Sequence, residues 1–432
     1  MSFIIDLIRN NGVITFQTTL QAIVYVTMQI LGLLFVVAYF HQFIYCIVGS
    51  CVKVKPAITN PTQHKLGIVI AAKDESKVIG NLIDSIHNTT YDADLVNIFV
   101  VADNCTDNTA EVCKEKGCFV FERQDKEHIG KGYALNFLFN ELHTNEKYKG
   151  MLPDAYIIMD ADNIMDKNFI TEINKVYDAG YEMITSYRNS TNFGDNWISS
   201  GYGYWFLHES RHLNNSRMLM GHTSTILGTG FLISQKLVKE FNNWDFHMLT
   251  EDVESTMEYA CRGGKIGYCH TAKFYDEQPT KFKQSWKQRE RWAKGYFQAI
   301  KKYTVPLLKK SLTSFSAWDV FTNIGGALYI SAGMIIASVI FLFVSLIMWD
   351  MTALLCLVAQ LGFALGGMLI VMFLLALLLC ITEWKEINTK WYKKILYTFT
   401  FPIFMLTYLP ITVGAVFRYK KIGWSTIEHK GK

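Results

Sequence analysis

Apolar positions fall into two kinds of run, long and unbroken toward the ends of the chain and short or periodic in its middle. Residues 22 to 50 contain no Asp, Glu, Lys or Arg, and the run exceeds the roughly 20 residues that cross a bilayer. It predicts one membrane helix. Its length, without a short apolar core and small-residue cleavage site, suits a retained anchor better than a removed signal. Beyond residue 320 come a run to Met348, a second from Thr352 to Ile381, and a third from Ile395 to Phe417 that Pro402 and Pro410 interrupt. Each predicts a membrane segment.

The middle of the chain has ordinary soluble polarity and is long enough for one α/β domain with a sizeable core. Gly67-Ile68-Val69-Ile70-Ala71-Ala72 ends in the polar Lys73-Asp74-Glu75-Ser76, after which Val78, Ile79, Leu82, Ile83 and Ile86 recur at helical spacing. Strand, loop and helix are predicted. The pattern returns at Val96 to Val101, followed by Ala102-Asp103-Asn104, with Thr106 or Asn108 placed to cap the next helix. A third strand, Ala155 to Met159, ends in Asp160-Ala161-Asp162. Alternating strands and helices imply a parallel sheet covered on both faces. The expected layout is an N-terminal segment with one membrane helix at 1–52, an α/β catalytic domain at 53–285, amphipathic interfacial helices at 286–319, and a membrane region with a basic tail at 320–432.

Charge and cysteine usage narrow the setting. The net charge is only +4, and the basic residues gather beside the apolar runs as Lys53 and Lys55, Lys301 and Lys302, Lys309 and Lys310, Lys393 and Lys394, Lys420 and Lys421. Such flanks mark the cytoplasmic side of a membrane. The acids spread through the middle of the chain argue against a nucleic-acid face. Nine cysteines without a C-x-x-C suggest neither a disulfide framework nor a zinc site, and a reducing cytosol for the domain. With that domain cytoplasmic, three full spans after it would put the basic C-terminus outside, against the charge rule. A re-entrant last segment would relieve the conflict, because irregular backbone is tolerated where protein buries it.

In open α/β sheets, ligands bind beyond the carboxyl ends of the strands. Asp74, Asp103, Asp160 and Asp162 all stand there. No G-x-G-x-x-G or G-x-x-x-x-G-K-[ST] follows a strand, which sets aside dinucleotide hydride chemistry and a P-loop. A diphosphate leaving a sugar develops negative charge, which a hard divalent ion on one or two carboxylates neutralises. Asp160-Ala161-Asp162 offers that pair, although a solvated strand-end pair has the same pattern. Thr250-Glu251-Asp252 reads as a helix start with Thr250 as N-cap. A sugar hydroxyl must lose a proton as it attacks, and Asp252 is the candidate base. Farther on, Gln288 and Arg291 share a helix face with Trp292 one turn from Gln288. A guanidinium can grip a pyrophosphate bidentately, and an indole gives a sugar ring an apolar platform. The same stretch also reads as an amphipathic helix on a membrane surface.

With D-x-D, T-E-D and Q-x-x-R-W in this order over residues 66 to 292, the chain resembles the membrane-integrated family 2 glycosyltransferases of the cellulose, chitin and hyaluronan synthase type. The resemblance implies a GT-A domain inserted between transmembrane helices, inversion at the anomeric carbon, and polymerisation of a β-linked polysaccharide from a UDP-sugar. It further implies Mg2+ or Mn2+ as cofactor, and as partners the UDP-sugar donor, a glycan acceptor and the lipid bilayer, with further copies or secretion partners open. By the same resemblance Asp74, Glu75 and Asp103 would hold the nucleoside, Lys131 the donor phosphates, and Asp160 and Asp162 the donor and its metal. Gly228, Thr229, Gly230 and Glu251 would face the acceptor, Asp252 would be the base, and Gln288, Arg291 and Trp292 would serve pyrophosphate and acceptor. The loops Ala71-Ala72-Lys73-Asp74-Glu75 and Ala102-Asp103-Asn104 depart from the commonest family forms. The layout resembles chitin-oligosaccharide or compact capsule synthases, and Gly423-Trp424-Ser425-Thr426 is a candidate contact for a gating loop. Addition of one sugar to a lipid-linked acceptor is the alternative activity, and a non-catalytic membrane scaffold the alternative class.

Overall fold

The computed structural model describes residues 18–52 and 60–418. Lys53, Lys55, Lys420, Lys421 and Gly423 to Thr426 lie outside the described residues. Among the described residues eight strands, β1 (Leu66–Ala72), β2 (Val96–Asp103), β3 (Phe119–Arg123), β4 (Ala155–Asp160), β5 (Ile164–Met165), β6 (Met183–Ser190), β7 (Phe231–Ser234) and β8 (Ile266–Asp276), form one sheet. Its order is β3-β2-β1-β4-β7-β6-β8-β5.

The first four strands are parallel. Helices cover both of their faces, so Ile68, Ile70 and Ile157 pack with Leu82 and Ile83 while Val69 and Ile158 pack with Leu135 and Leu138. Each such side chain contributes about 1.5–3 kcal/mol by leaving water.

The all-parallel expectation stops at β4. β7 runs antiparallel to β4 and to β6, and β5 antiparallel to β8, so the sheet is mixed. The cause is where the chain re-enters. Gly228-Thr229-Gly230 reaches the sheet beside the carboxyl end of β4, with the Gly230 amide donating to Ile158 O at 2.9 Å. A strand that starts there can only run back. The consequence is functional, because the Asp160 loop and the Gly228 loop become neighbours.

The chain divides into two compact units, one of Met1–His41 with Gly325–Val371 and one of Gln42–Ile324 with Met372–Lys432. In the first, the Gln21 amide donates to Ser345 Oγ at 3.3 Å and to Asp350 Oδ2 at 3.1 Å, above a core that includes Met28, Phe341 and Leu357. The second carries the sheet.

Among the described residues four helices are long and apolar enough to cross a membrane: Thr19–Cys51, Phe315–Ile347, Met351–Thr382 and Trp391–Arg418. They coincide with the four apolar runs. The last is two helices, Trp391–Leu406 and Tyr408–Arg418, that break at Thr407. Pro410 cannot donate to the carbonyl of Leu406, which removes a bond across the break. Arg289 fills it, donating to Thr407 Oγ1 at 2.7 Å and Phe404 O at 3.3 Å and lying 4.4 and 4.8 Å from the Phe404 and Tyr408 ring centres.

A second buried cation fixes the helix after the sheet excursion. Arg217 and Asp319 are both wholly buried and paired through two hydrogen bonds of 2.8 and 3.0 Å, and Tyr45 donates to the same carboxylate at 2.8 Å. Removing one partner strands the other charge in a dry site. Arg217→Met is therefore expected to cost about 3–5 kcal/mol, read as a lowered unfolding midpoint of the full chain in detergent.

Candidate active site

The site lies beyond the carboxyl ends of β1, β2, β4, β6 and β8, where the Gly228 loop and the start of the helix Glu251–Cys261 close over it. Asp74 leaves β1 in the left-handed region, φ +56°, which a short polar side chain tolerates. Its Oδ1 accepts from Thr106 N at 2.6 Å and Thr106 Oγ1 at 3.1 Å, tying the first two loops together. Asp103 is buried, and its Oδ1 accepts from Arg123 at 2.7 Å and from Asn104 at 3.0 Å. Burial raises its carboxyl above the usual range although Arg123 pulls the other way. The next helix has Asn108 at its N-cap without a side-chain bond. Asp107, not Thr106 or Asn108, accepts from the Thr109 amide, at 3.1 Å.

Glu75 stands among acids. Burial, then Asp160, Asp107 and Asp74, push its carboxyl up to about 8. Asp162 is raised well above the ordinary range by burial and by Asp160, Asp276 and Glu75, with Arg188 opposing. Asp276 ends β8; its Oδ2 accepts from Arg188 Nε at 2.9 Å, and its Oδ1 is buried with no hydrogen-bond partner. Mutually repelling carboxylates around an orphaned oxygen suit a cation better than they suit one another. Their oxygen-only donor set fits a hard divalent ion such as Mg2+ or Mn2+.

Lys131 opens the helix Lys131–Thr144, and its ammonium is hydrogen-bonded to Asp160 Oδ1 and, at 2.7 Å, to Gly228 O. Glu251 lies 3.8 Å from it. Burial works against the lysine's charge, yet the neighbouring Asp160 and Glu251 outweigh it and hold the group above its usual value.

The Gly228 loop divides its duties. Gly228 has φ +83°, and a Cβ there would stand 3.9 Å from Asp252 Oδ2 and 4.0 Å from Arg188 Nη1. Thr229 is buried and braces the aspartate loop, its hydroxyl accepting from Asp160 N at 2.8 Å and donating to Asn163 Oδ1 at 2.6 Å. Gly230, φ +66°, faces the Phe274 ring, which a side chain would strike. Only Gly228 of the three is turned toward Asp252.

Asp252 lies in the first turn of its helix, near the positive end of the helix dipole. Burial raises its carboxyl, while the Val253 amide, Lys131 and Arg291 pull it down. Glu251 is carried up to about 7 by burial, with Lys131 opposing and Asp252 adding to the rise. Thr250 is the N-cap residue but makes no capping bond. Its hydroxyl is buried without a partner, and the side chain packs where Gly295 leaves room.

The helix Phe282–Ser311 supplies the other wall. Arg291 donates to Leu249 O at 3.2 Å, which holds it by the loop before Asp252. Trp292 meets Tyr202 edge-on at 5.8 Å and Phe206 at 6.2 Å. Gln288 has a buried Oε1 without a partner. Arg289, one residue along, turns to the opposite side and anchors the helix break at Thr407. The two arginines of Gln288-Arg289-Glu290-Arg291-Trp292 thus do different work, because residues two apart on a helix do not share a face.

Residues 63–295 match the family described as glycosyltransferase like family 2, more than half of the chain. The chain belongs to that family. This glycosyltransferase is 25% identical over 268 residues to "Probable glycosyltransferase YdaM" of Bacillus subtilis (strain 168), covering 57% of this chain and 58% of the relative. It is 27% identical over 260 residues to the poly-beta-1,6-N-acetyl-D-glucosamine synthase of Staphylococcus aureus (strain COL), with coverage of 57% and 58%. The chain thus spans somewhat over half the length of the curated relatives it matches. Among solved structures it is similar to the mannosyltransferase PcManGT from Pyrobaculum calidifontis, solved with GDP-Man and Mn2+. The TM-score is 0.54 at 13% identity over 93% of this chain and 98% of that one. At that identity the likeness is one of fold, and the fold is of the GT-A type.

Proposed function

We propose that this glycosyltransferase is a metal-dependent inverting hexosyltransferase of the membrane that polymerises a β-linked polysaccharide from a UDP-sugar at the cytoplasmic face and passes the product across. The carrying observation is the convergence of Asp160, Lys131 and Asp252 on Gly228. A small residue there leaves room for a sugar ring between base and donor carboxylate. In this aromatic wall the half-buried Trp292, braced by the buried Tyr202 and Phe206, offers the next ring of an acceptor glycan a stacking surface. Its helix also holds the broken apolar helix through Arg289. The polymer-forming relatives in Staphylococcus aureus support the same reading.

Asp160 and Asp162 would hold the divalent ion, with the unsatisfied Asp276 Oδ1 belonging to a neighbouring carboxylate of Asp162. When bound, that ion neutralises the diphosphate oxygens. Asp74, Glu75 and Asp103 would border the nucleoside, and Arg291 with Gln288 the pyrophosphate. Asp252 takes the proton of the acceptor hydroxyl as its oxygen bonds the anomeric carbon, and the bond to the diphosphate breaks on the opposite side. Inversion follows from that in-line geometry. From an α-linked UDP-sugar, tested first as UDP-N-acetylglucosamine, the product should be cut by β-specific hydrolases; an α-linked product contradicts the mechanism.

The raised carboxyls give a pH signature. A base works ionised, so acidification removes activity by protonating Asp252, whose carboxyl is raised and which shares its site with Glu251 at about 7. The acid limb of the kcat/KM profile should therefore lie above that of a base at an ordinary carboxylate value, which would hold activity to about pH 4.

A further inference from the structure

Away from the sugar-transfer site, Cys46, His208 and His212 bring one possible ligand atom each to within 4.8 Å of one another. The two histidines lie on a π-type stretch of helix, His208–Asn214, a local irregularity frequent at functional sites. Cys46 comes from the end of the helix Thr19–Cys51. That end is pressed against the histidine segment, since a Cβ on Gly49 would fall 2.5 Å from Arg211 O, 2.9 Å from Ser216 Oγ and 3.0 Å from His212 Cα. The approach is pinned by Ser216 Oγ donating to Tyr45 O at 2.7 Å.

Hydrogen bonding fixes the state of one ring. The Ser50 hydroxyl gives its single proton to Cys46 O at 2.7 Å, so its contact of 3.3 Å with His212 Nε2 requires that nitrogen to donate. With the ring buried and neutral, His212 Nδ1 then carries a lone pair. It accepts a hydrogen bond from His208 Nδ1 at 3.4 Å, a bond the ion would replace, with His208 then carrying its proton on Nε2. Two imidazole nitrogens on one tetrahedral ion, bonded at about 2.0–2.1 Å, stand about 3.3–3.4 Å apart.

We propose that Cys46, His208 and His212 bind a borderline-soft divalent cation, Zn2+, which clamps the end of the first apolar helix to the segment that follows the aromatic wall. Cys46 binds as thiolate, its proton passing to solvent, and a water completes the tetrahedron. Ser50 orients His212 from outside the coordination shell. Cysteine spacing could not reveal this site, because its two histidines stand more than 160 residues from Cys46 in the chain.

Cobalt provides the test on the full chain, purified in detergent, stripped of metal and supplied with excess Mn2+ to fill the carboxylate site. Titration with Co2+ should give a thiolate-to-cobalt charge-transfer band that saturates at about one equivalent per chain and is missing from Cys46→Ser. Ser50→Ala should weaken Co2+ binding by about 10- to 100-fold. Absence of the band, or an undiminished band in Cys46→Ser, overturns the proposal. Should Cys46→Ser fail to fold, the wild-type chain decides: Zn2+ should slow alkylation of Cys46 and leave Cys261 unaffected, and an unchanged Cys46 rate overturns it equally. Neither readout depends on sugar transfer.

Discussion

Asp252→Asn should lower sugar transfer by about 10²–10⁴-fold, the span a positioned general base contributes, while binding of the UDP-sugar is largely retained. The substitution preserves shape and the side chain's place in the first helical turn. What it removes is the ability to take a proton. Donor affinity should survive because the donor carboxylate Asp160 and its partner Lys131 are untouched, and Asp252 acts on them only through the field around Lys131. Calorimetric titration with UDP-sugar, set beside initial rates, separates the two quantities. A variant that transfers at the wild-type rate would remove Asp252 from the chemistry.

The second large effect is that of metal removal. EDTA should suppress transfer by roughly 10²–10⁴-fold, corresponding to the several kcal/mol of charge stabilisation an ion supplies to a leaving diphosphate. Mn2+ or Mg2+ should restore it. Asp162→Asn should mimic the chelator and resist rescue at ordinary metal concentrations, because Asp162 sits among the carboxylates of Asp160, Asp276 and Glu75 whose repulsion a cation would relieve. Rates measured across a metal titration give the check. Full activity in chelator would show that the acids serve the donor by hydrogen bonding alone.

How far the sequence could be read depended on what buried each strand. β1, β2 and β4 are apolar on both faces and stood out as apolar runs, broken only by Asn97 near the start of β2. β6 is just as buried, yet it contains Thr185, Ser186, Arg188, Asn189 and Ser190. Contacts made by distant segments satisfy several of those polar groups, for example Asp276 for Arg188 and Glu386 O for Asn189, while the Ser190 hydroxyl is buried without a partner. A strand whose polar residues are paired only in three dimensions has no local signature. With β6 and β8 unread, the strand-end residues Arg188 and Asp276 were missed, although the rule that singled out Asp160 would have found Asp276 at the end of Phe274-Tyr275-Asp276.

The antiparallel entry of β7 was hidden for a related reason. Four residues show no usable periodicity, and direction is set by the path of the chain before them. The motif residues were legible as types and order, but not their separate duties. Thr229 carries a hydroxyl like an acceptor ligand and spends it on Asp160 N and Asn163. Thr250 looks like a capping residue and instead packs beside Gly295. Arg289 and Arg291 are near neighbours in sequence, and only the break at Thr407 shows why there are two. The Pro-interrupted segment was legible in part: the helix runs through Pro402 without a break, and the break falls at Thr407, just before Pro410, where Arg289 holds it.

The central claim is that one site adds sugars repeatedly to the same chain at the membrane. The purified protein, reconstituted in lipid nanodiscs and given a single UDP-sugar with limiting acceptor, should release many UDP molecules for each glycan chain formed and yield long polymer on a sizing column. One UDP released per acceptor, with a single discrete adduct, would contradict it.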